Sequence, residues 1–280
     1  MGWVAKVLSG LVWVSIVAFG LVSVATASQI DPIDTPFEQV EILVERASAA
    51  LRENNFAEAE TYWSESIELL PDNPALWSNR GNTRAGQNKL QDALSDYNRA
   101  IELAPNVPDS YLNRGTVYEA LGQWSDAVAD YNRVLDRSPK DAAAYNNRGN
   151  ANAGRRDWNE ALADYAKAVE LAPKFALARA NYALALYQVG ETQPALREMK
   201  NIVRRYPQFA DMRAALTAVL WTTGKMGEAE SNWVAARGLD SRYSDLTWVR
   251  EVRRWPPRMV EALRDFMNLN SLNSNSLNLT

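Results

Sequence analysis

The stretch Pro74–Val107 reads PALWSNRGNTRAGQNKLQDALSDYNRAIELAPNV, and the next 34 residues, Pro108–Asp141, read PDSYLNRGTVYEALGQWSDAVADYNRVLDRSPKD, with related residue types at the same places. The same period of 34 residues extends well beyond these two segments. If Val40 is position 1 of the first repeat, position 20 is alanine in six repeats: Ala59, Ala93, Ala127, Ala161, Ala195 and Ala229. A fixed period of this length indicates stacked supersecondary units, each of which buries its apolar face against its neighbours.

Three further positions of the repeat predict what each unit looks like. Position 8 is small and position 24 is aromatic in most repeats, so two helices can approach closely beside a ring that fills the groove between them. Proline lacks an amide hydrogen and restricts the residue before it, so a proline at position 32 ends the second helix. The pattern therefore predicts one helix over positions 1–14 and another over positions 17–30. The prolines at position 32 are Pro71, Pro105, Pro139, Pro173 and Pro207.

From Val40 to Tyr243 this pattern resembles the tetratricopeptide repeat. The resemblance implies an all-α fold, a solenoid in which six helix pairs form a right-handed superhelix. In the last two repeats Arg179 and Arg213 replace the aromatic residue expected at position 4. The Asn-Arg-Gly triplets at 79–81, 113–115 and 147–149 and the segment RWPPRMV at 254–260 are similar to exported tetratricopeptide proteins of cyanobacteria and plastids.

Beyond the last repeat we expect residues 244–267 to form capping helices. Trp248, Val252 and Trp255 lie at i, i+4 and i+7, which is one apolar helical stripe. Pro257 suits the first turn of a final helix with a second apolar stripe. Residues 268–280 are rich in Asn, Ser and Leu, and their composition predicts a disordered tail.

The first 27 residues have the features of a secretory signal peptide. Lys6 precedes an uncharged apolar run over residues 7–24, and Ala25-Thr26-Ala27 offers the small residues of a cleavage site. The run is also long enough for an uncleaved membrane anchor, so both interpretations are open. In either case we expect the repeats to be exported, to a periplasm or a thylakoid lumen. Residues 28–39 are interpreted as a linker.

Composition narrows the possible functions. The chain has 280 residues with 47% hydrophobic content, and it contains neither histidine nor cysteine, which removes thiol nucleophiles, imidazole bases and most transition-metal sites. The segment 81–88 has the glycine spacing of a phosphate loop, but Gln87 and Asn88 replace the lysine and hydroxyl residue that such a loop requires. We therefore expect no enzyme, no cofactor, no metal site and no small-molecule substrate. The bases of the C-terminal third are mixed with acids, which argues against nucleic acid.

Asparagines at position 6 are the first candidate binding residues: Asn79, Asn113, Asn147 and Asn181. The family resemblance places them on the side of the first helix that faces the concave groove. An amide side chain both donates and accepts hydrogen bonds, so a ladder of amides could bind the backbone of an extended peptide. Because asparagine is also the usual residue at this position of the family, the alternative is that these side chains bind only water. Nearby groove positions add Asn82 and Asn150 as candidates.

The groove changes character in repeats five and six, where it is lined by apolar residues that include Leu184, Tyr187 and Trp221. An exposed apolar concavity indicates a partner or a covering segment. A partner subunit and the C-terminal helix of the chain itself are both candidates to fill it.

Arginine at position 7 and aspartate at position 23 are expected to form structural ion pairs. The arginines at this position are Arg46, Arg80, Arg114 and Arg148, and the aspartates are Asp96, Asp130 and Asp164. The spacing does not show whether each aspartate meets the arginine of its own repeat or that of the next repeat.

These features predict a non-catalytic scaffold that binds a protein or peptide partner, and that assists the assembly of a membrane complex, such as a photosynthetic one. A permanent structural subunit of a membrane-associated complex is the alternative.

Overall fold

The computed structural model describes the backbone of residues 35–277 and the side chains of residues 35–268. The segment expected to be a signal peptide or anchor, and most of the expected linker, lie outside these residues. Within the described part, no helix is both long and apolar enough to cross a bilayer.

Helices account for all the regular structure of residues 35–277, which form two compact units. The first unit ends at Gln123 and contains α1 (Pro36–Arg52), α2 (Phe56–Leu69), α3 (Pro74–Gly86), α4 (Leu90–Leu103) and α5 (Pro108–Ala120). The second unit begins at Trp124 and contains α6 (Trp124–Arg137), α7 (Ala142–Gly154), α8 (Trp158–Leu171), α9 (Ala176–Gln188), α10 (Thr192–Arg205), α11 (Ala210–Thr222), α12 (Met226–Leu239), a 3₁₀ turn (Ser241–Ser244), α13 (Leu246–Glu251) and α14 (Pro257–Leu277).

Consecutive helices pack on one another in both units. In the first unit α1 pairs with α2 and α3 with α4, while α3 also contacts α2 and α5 contacts α4. In the second unit α7 pairs with α8, α9 with α10 and α11 with α12, and each pair contacts the next. The helix bounds follow positions 1–14 and 17–30 closely, because the apolar spacing and the prolines specify both ends of each helix.

Close contact between paired helices depends on the small residues at positions 8 and 20. All six alanines at position 20 are fully buried. A Cβ atom added at Gly81 would lie 2.8 Å from Cε1 of Tyr97, and one added at Gly149 would lie 2.7 Å from Cε1 of Tyr165. The position 24 ring therefore occupies the space that a side chain at position 8 would need.

Each helix pair turns at position 15, where the backbone adopts the left-handed conformation in all six repeats. The residues there are Asn54, Asn88, Gly122, Arg156, Gly190 and Gly224, with φ between 59° and 100°. Glycine and asparagine enter this region at low cost, whereas a residue such as Arg156 does so at about 1–2 kcal/mol.

The C-terminal segment differs from the sequence prediction in two ways. The stripe of Trp248, Val252 and Trp255 does not form one helix, because α13 ends at Glu251 and leaves Val252 exposed. Pro256 disfavours helical geometry at Trp255, which is nevertheless buried. The expected disordered tail also differs, since α14 continues to Leu277. Neither proline nor glycine occurs after Pro257, and extending a packed helix adds one hydrogen bond for each residue fixed.

A polar first-helix face and a closed apolar groove

Two of the expected groove asparagines are bound by tyrosines of their own repeats. The Tyr97 hydroxyl donates to Asn82 Oδ1 at 2.8 Å, and the Tyr165 hydroxyl donates to Asn150 Oδ1 at 2.9 Å. Burial raises the pKa of Tyr97 well above its ordinary value, so the phenol stays a hydrogen-bond donor. The position 9 amides therefore satisfy buried hydroxyl groups, a role that the sequence pattern did not suggest.

The position 6 asparagines of the first unit have side-chain amides that are available for hydrogen bonding. Asn79 on α3 and Asn113 on α5 are half-buried, and neither side-chain amide has a hydrogen-bond partner within residues 35–268. The helices α3 and α5 contact each other directly, and Ser110 Oγ donates to Ser78 Oγ at 3.4 Å between them. Two adjacent first helices thus present a polar face with unused donors and acceptors.

The corresponding asparagines of the second unit, Asn147 and Asn181, are hydrogen-bonded to other asparagines of that unit. Asn181 Nδ2 donates to Asn146 Oδ1 at 3.0 Å and to Asn150 Oδ1 at 3.1 Å. Asn146 Nδ2 in turn donates to Asn147 Oδ1 at 3.3 Å. These amides link α7 to α9, so part of their hydrogen-bonding capacity is already used inside the protein.

The apolar groove of repeats five and six is filled by the chain's own α14. This helix packs on α9 and α11 and buries Met259, Leu263 and Phe266 completely. Leu184 and Tyr187 are 6% and 3% exposed as a result, and the ring of Trp221 packs edge-on against Phe266 with centroids 5.4 Å apart. The sequence left a partner subunit and the chain's own C-terminal helix as candidates for this groove, and in the structure the C-terminal helix fills it. Leu184 and Tyr187 are therefore core residues in this conformation and offer no free binding surface.

Arg258, at the start of α14, fastens this helix to the end of α9. Its guanidinium lies 4.7 Å from the centre of the Tyr187 ring, and Nη1 donates to the Tyr187 carbonyl at 2.9 Å. Its backbone amide donates to Gln188 Oε1 at 3.0 Å. A cation at the C-terminal end of a helix is also favoured by the helix dipole.

A buried carboxylate, Asp211, holds the segment between α12 and α14. Asp211 Oδ1 accepts hydrogen bonds from Tyr243 at 2.7 Å, from Arg253 at 2.9 Å and from Trp255 at 2.9 Å. Burial lowers the pKa of Arg253, but the attraction of Asp211 outweighs it and leaves that pKa above its ordinary value. Sequence reasoning missed this cluster because an aspartate at position 2 of the repeat does not indicate burial. Asp109, at the same position of the third repeat, is exposed.

Two of the expected arginine–aspartate pairs form, each within a single repeat. Arg80 contacts both Asp96 oxygens at 3.0 and 2.8 Å, and Arg148 contacts both Asp164 oxygens at 3.0 and 2.7 Å. The same arginines also reach the preceding repeat, with Arg80 Nη1 donating to Ser64 Oγ at 3.1 Å. The bidentate pairs therefore join the two helices of one repeat, while the additional hydrogen bond joins neighbouring repeats, and both roles are structural.

Glu60 on α2 is a carboxylate bound by three neighbouring donors. It accepts hydrogen bonds from Arg84 at 2.8 Å, from Gln87 at 2.8 Å and from Lys89 at 2.7 Å. Burial raises its pKa, but the hydrogen bonds from Lys89, Arg84 and Gln87 together lower the pKa to about 2. A cluster that ties α2 to α3 in this way is structural, and it leaves Glu60 ionised at neutral pH.

Comparisons with known proteins agree with this architecture. Family models described as tetratricopeptide repeats match residues 44–108, 85–146 and 142–175. A search of curated proteins found no match.

Several solved structures are similar to the chain. A tetratricopeptide repeat protein from Parabacteroides merdae is 20% identical and has a TM-score of 0.63 over 82% of this chain and 93% of that chain. MamA from Desulfovibrio magneticus RS-1 is 20% identical, with a TM-score of 0.56 over 59% of this chain and 94% of that chain. YrrB, described as a tetratricopeptide protein with an unusual peptide-binding site, is 19% identical, with a TM-score of 0.54 over 69% of this chain and 97% of that chain. At these identities the likeness shows the fold alone. The matches and the helix pairs establish that this all-α chain contains tetratricopeptide repeats.

Proposed function

We propose that this protein is a non-catalytic scaffold that binds an extended segment of a partner protein on the first-helix face of its first unit. The observation that carries the proposal is the pair of open amides, Asn79 and Asn113, on the adjacent helices α3 and α5. Each amide can donate to a peptide carbonyl and accept from a peptide N–H, so it can bind a backbone of any sequence.

Two further facts support this proposal. Tetratricopeptide repeats mediate protein–protein interaction, and the similar protein YrrB is described as having a peptide-binding site. The first-helix face of repeats five and six is occupied by α14, which leaves the first unit as the more accessible surface.

We propose further that the protein is exported and acts as an assembly factor for a membrane complex. Support comes from the sequence, from the apolar run over residues 7–24 and the cleavage-site pattern at 25–27, together with the resemblance to exported cyanobacterial and plastid proteins. The alternative, a permanent subunit whose apolar groove is filled by an obligate partner, has lost part of its support because α14 fills that groove.

The asparagine face is tested with the double variant Asn79→Ala plus Asn113→Ala. Peptides are first selected from a random library on the full chain, and their affinity is then measured for each variant. Each lost hydrogen bond is worth about 0.5–1.5 kcal/mol, so the double variant should bind about tenfold more weakly. Gln91→Ala is the matched control, since Gln91 is an exposed amide on the second helix of the same repeat. Unchanged affinity in the double variant, with circular dichroism showing an intact fold, would remove the asparagines from the mechanism.

A further inference from the structure

A surface cleft between α1 and α2 has an apolar floor and an acidic edge. The cleft has a volume of about 440 Å³ and is lined by Gln39, Ile42, Leu43, Glu65, Glu68 and Leu69. Glu65 and Glu68 are exposed, and neither carboxylate has a partner within residues 35–268. The surrounding helices add to the negative charge, because residues 36–69 hold eight acids and two arginines.

The second repeat has a cleft that shares positions 4, 26 and 29 with this one, and its charges are paired internally. It is lined by Trp77, Ser95, Asn98, Arg99 and Glu102 and has a volume of about 430 Å³. Arg99 occupies position 26, where the first repeat has Glu65, and it pairs with Glu102 at 3.2 Å and with Asp72 at 3.6 Å. The fourth repeat follows the same rule, with Lys167 at position 26 and Glu170 at position 29 joined at 2.8 Å.

The first repeat differs from the second and fourth repeats at positions 26 and 4. Glutamate replaces the base at position 26, so neither carboxylate of the cleft is paired with a cation among the described side chains. Leucine replaces the aromatic residue at position 4, where the second repeat has Trp77, so less side chain covers the floor. Positive charge from outside would supply the pairing that the second and fourth repeats make internally, and an apolar side chain would cover Ile42, Leu43 and Leu69.

We propose that this cleft is a docking surface for a basic, amphipathic segment of a partner protein, in which lysines or arginines flank one large apolar side chain. Charge complementarity favours this occupant over the chain's own residues 28–34, which carry two aspartates and no base. The surface shares no residue with the asparagine face, so the two proposals fail independently.

The test uses a fluorescently labelled synthetic peptide with lysines on both sides of a tryptophan, and the same peptide with glutamate in place of each lysine. Fluorescence anisotropy should show that the full chain binds the lysine peptide and not the glutamate peptide. Glu65→Arg recreates the arginine–glutamate pair of the second repeat and should weaken binding about tenfold or more without loss of folding. Leu43→Trp should weaken binding as well, because the added ring covers the floor of the cleft.

Glu53→Arg is the matched control, since Glu53 is exposed on the same unit but lies outside the cleft. Equal weakening by Glu53→Arg and Glu65→Arg would show general electrostatic attraction and would overturn the proposal, as would failure of the lysine peptide to bind. A photo-crosslinking amino acid at Gln39 identifies the occupant in the native host. A crosslink to a basic segment of another protein is expected, whereas a crosslink to residues 1–34 or to a second copy would overturn the assignment.

Discussion

At position 24 a tyrosine ring decides which residue position 8 can hold. Tyr97 and Tyr165 lie against Gly81 and Gly149, and each hydroxyl reaches an asparagine one residue further along the first helix. In the first repeat Trp63 stands at position 24 and Ala47 at position 8, and the buried indole nitrogen of Trp63 has no hydrogen-bond partner within residues 35–268. The ring and the small residue thus change together, since tyrosine stands opposite glycine in the second and fourth repeats and tryptophan stands opposite alanine in the first.

Gly81→Ala should destabilise the protein, because the new Cβ would lie 2.8 Å from a ring atom of Tyr97 that cannot move freely. Overpacking of this kind costs about 1–3 kcal/mol, and it should exceed the gain of about 1 kcal/mol from replacing glycine in a helix. The free energy of unfolding from urea denaturation measures the difference.

Gly227→Ala is the control for this prediction, since a Cβ at Gly227 meets no atom within 4 Å in α12. It should stabilise the protein by about 0.5–1 kcal/mol. Changes of the same sign in both variants would contradict the assigned packing between positions 8 and 24.

At the scale of the element, the apolar pattern places helices side by side. Ion pairs and hydrogen bonds then connect those helices to one another. Glu60 ties α2 to the end of α3 and the turn after it, while Arg80 ties α3 to both α2 and α4. Asp211 performs the same function at the C-terminus, where it joins α11 to the segment that leads into α14. Charge-assisted hydrogen bonds of this geometry set the orientation of neighbouring helices.

Glu60→Gln should change how the free energy of unfolding depends on pH. The pKa of Glu60 is about 2 in the folded protein, below its ordinary value of 4.5, so its contribution is present above pH 4.5 and is lost as the pH falls towards 2. The wild-type protein should therefore lose about 1 kcal/mol more than the variant across this range, after allowance for screening by solvent. Urea denaturation at several pH values provides the measurement.

The exposed Glu53 supplies the comparison for this experiment, because it has no ion-pair partner within residues 35–268. Glu53→Gln should leave the acid dependence close to that of the wild-type protein. If Glu60→Gln and the wild-type protein respond identically to acid, the cluster around Glu60 does not form in solution.

At the scale of the whole molecule, the C-terminal segment completes the core of the second unit. Deleting residues 244–280 would expose Leu184, Tyr187, Trp233 and their neighbours, and each large apolar side chain returned to water costs about 1.5–3 kcal/mol. The shortened protein should aggregate and unfold at a lower temperature, as measured by light scattering and thermal denaturation. Deleting residues 269–280 alone should leave both properties unchanged. If the longer deletion stays monomeric and equally heat-stable, α14 is no cap.

The repeat period determined the helices, their turns and their tight contacts without reference to a structure. Ala93, Gly81 and Pro105 contact residues of the same repeat or of the adjacent repeat, so their spacing along the chain is enough to place them. The ion pairs show the limit of this reasoning. The sequence predicted the pairing of arginine with aspartate, but the partner of Asp96 depended on how one helix rotates against the next, which spacing does not specify.

The candidate site was less predictable than the fold. Asn79, Asn82, Asn113 and Asn150 look alike in the sequence, yet the structure leaves Asn79 and Asn113 open and binds Asn82 and Asn150 to buried tyrosines. The occupant of the apolar groove was likewise decided by the tertiary structure. Arg258 contacts Gln188 across 70 residues of sequence, and a contact at that separation depends on where the chain turns back. Local periodicity determines which neighbours pack, whereas the return of a distant segment determines which surfaces remain free.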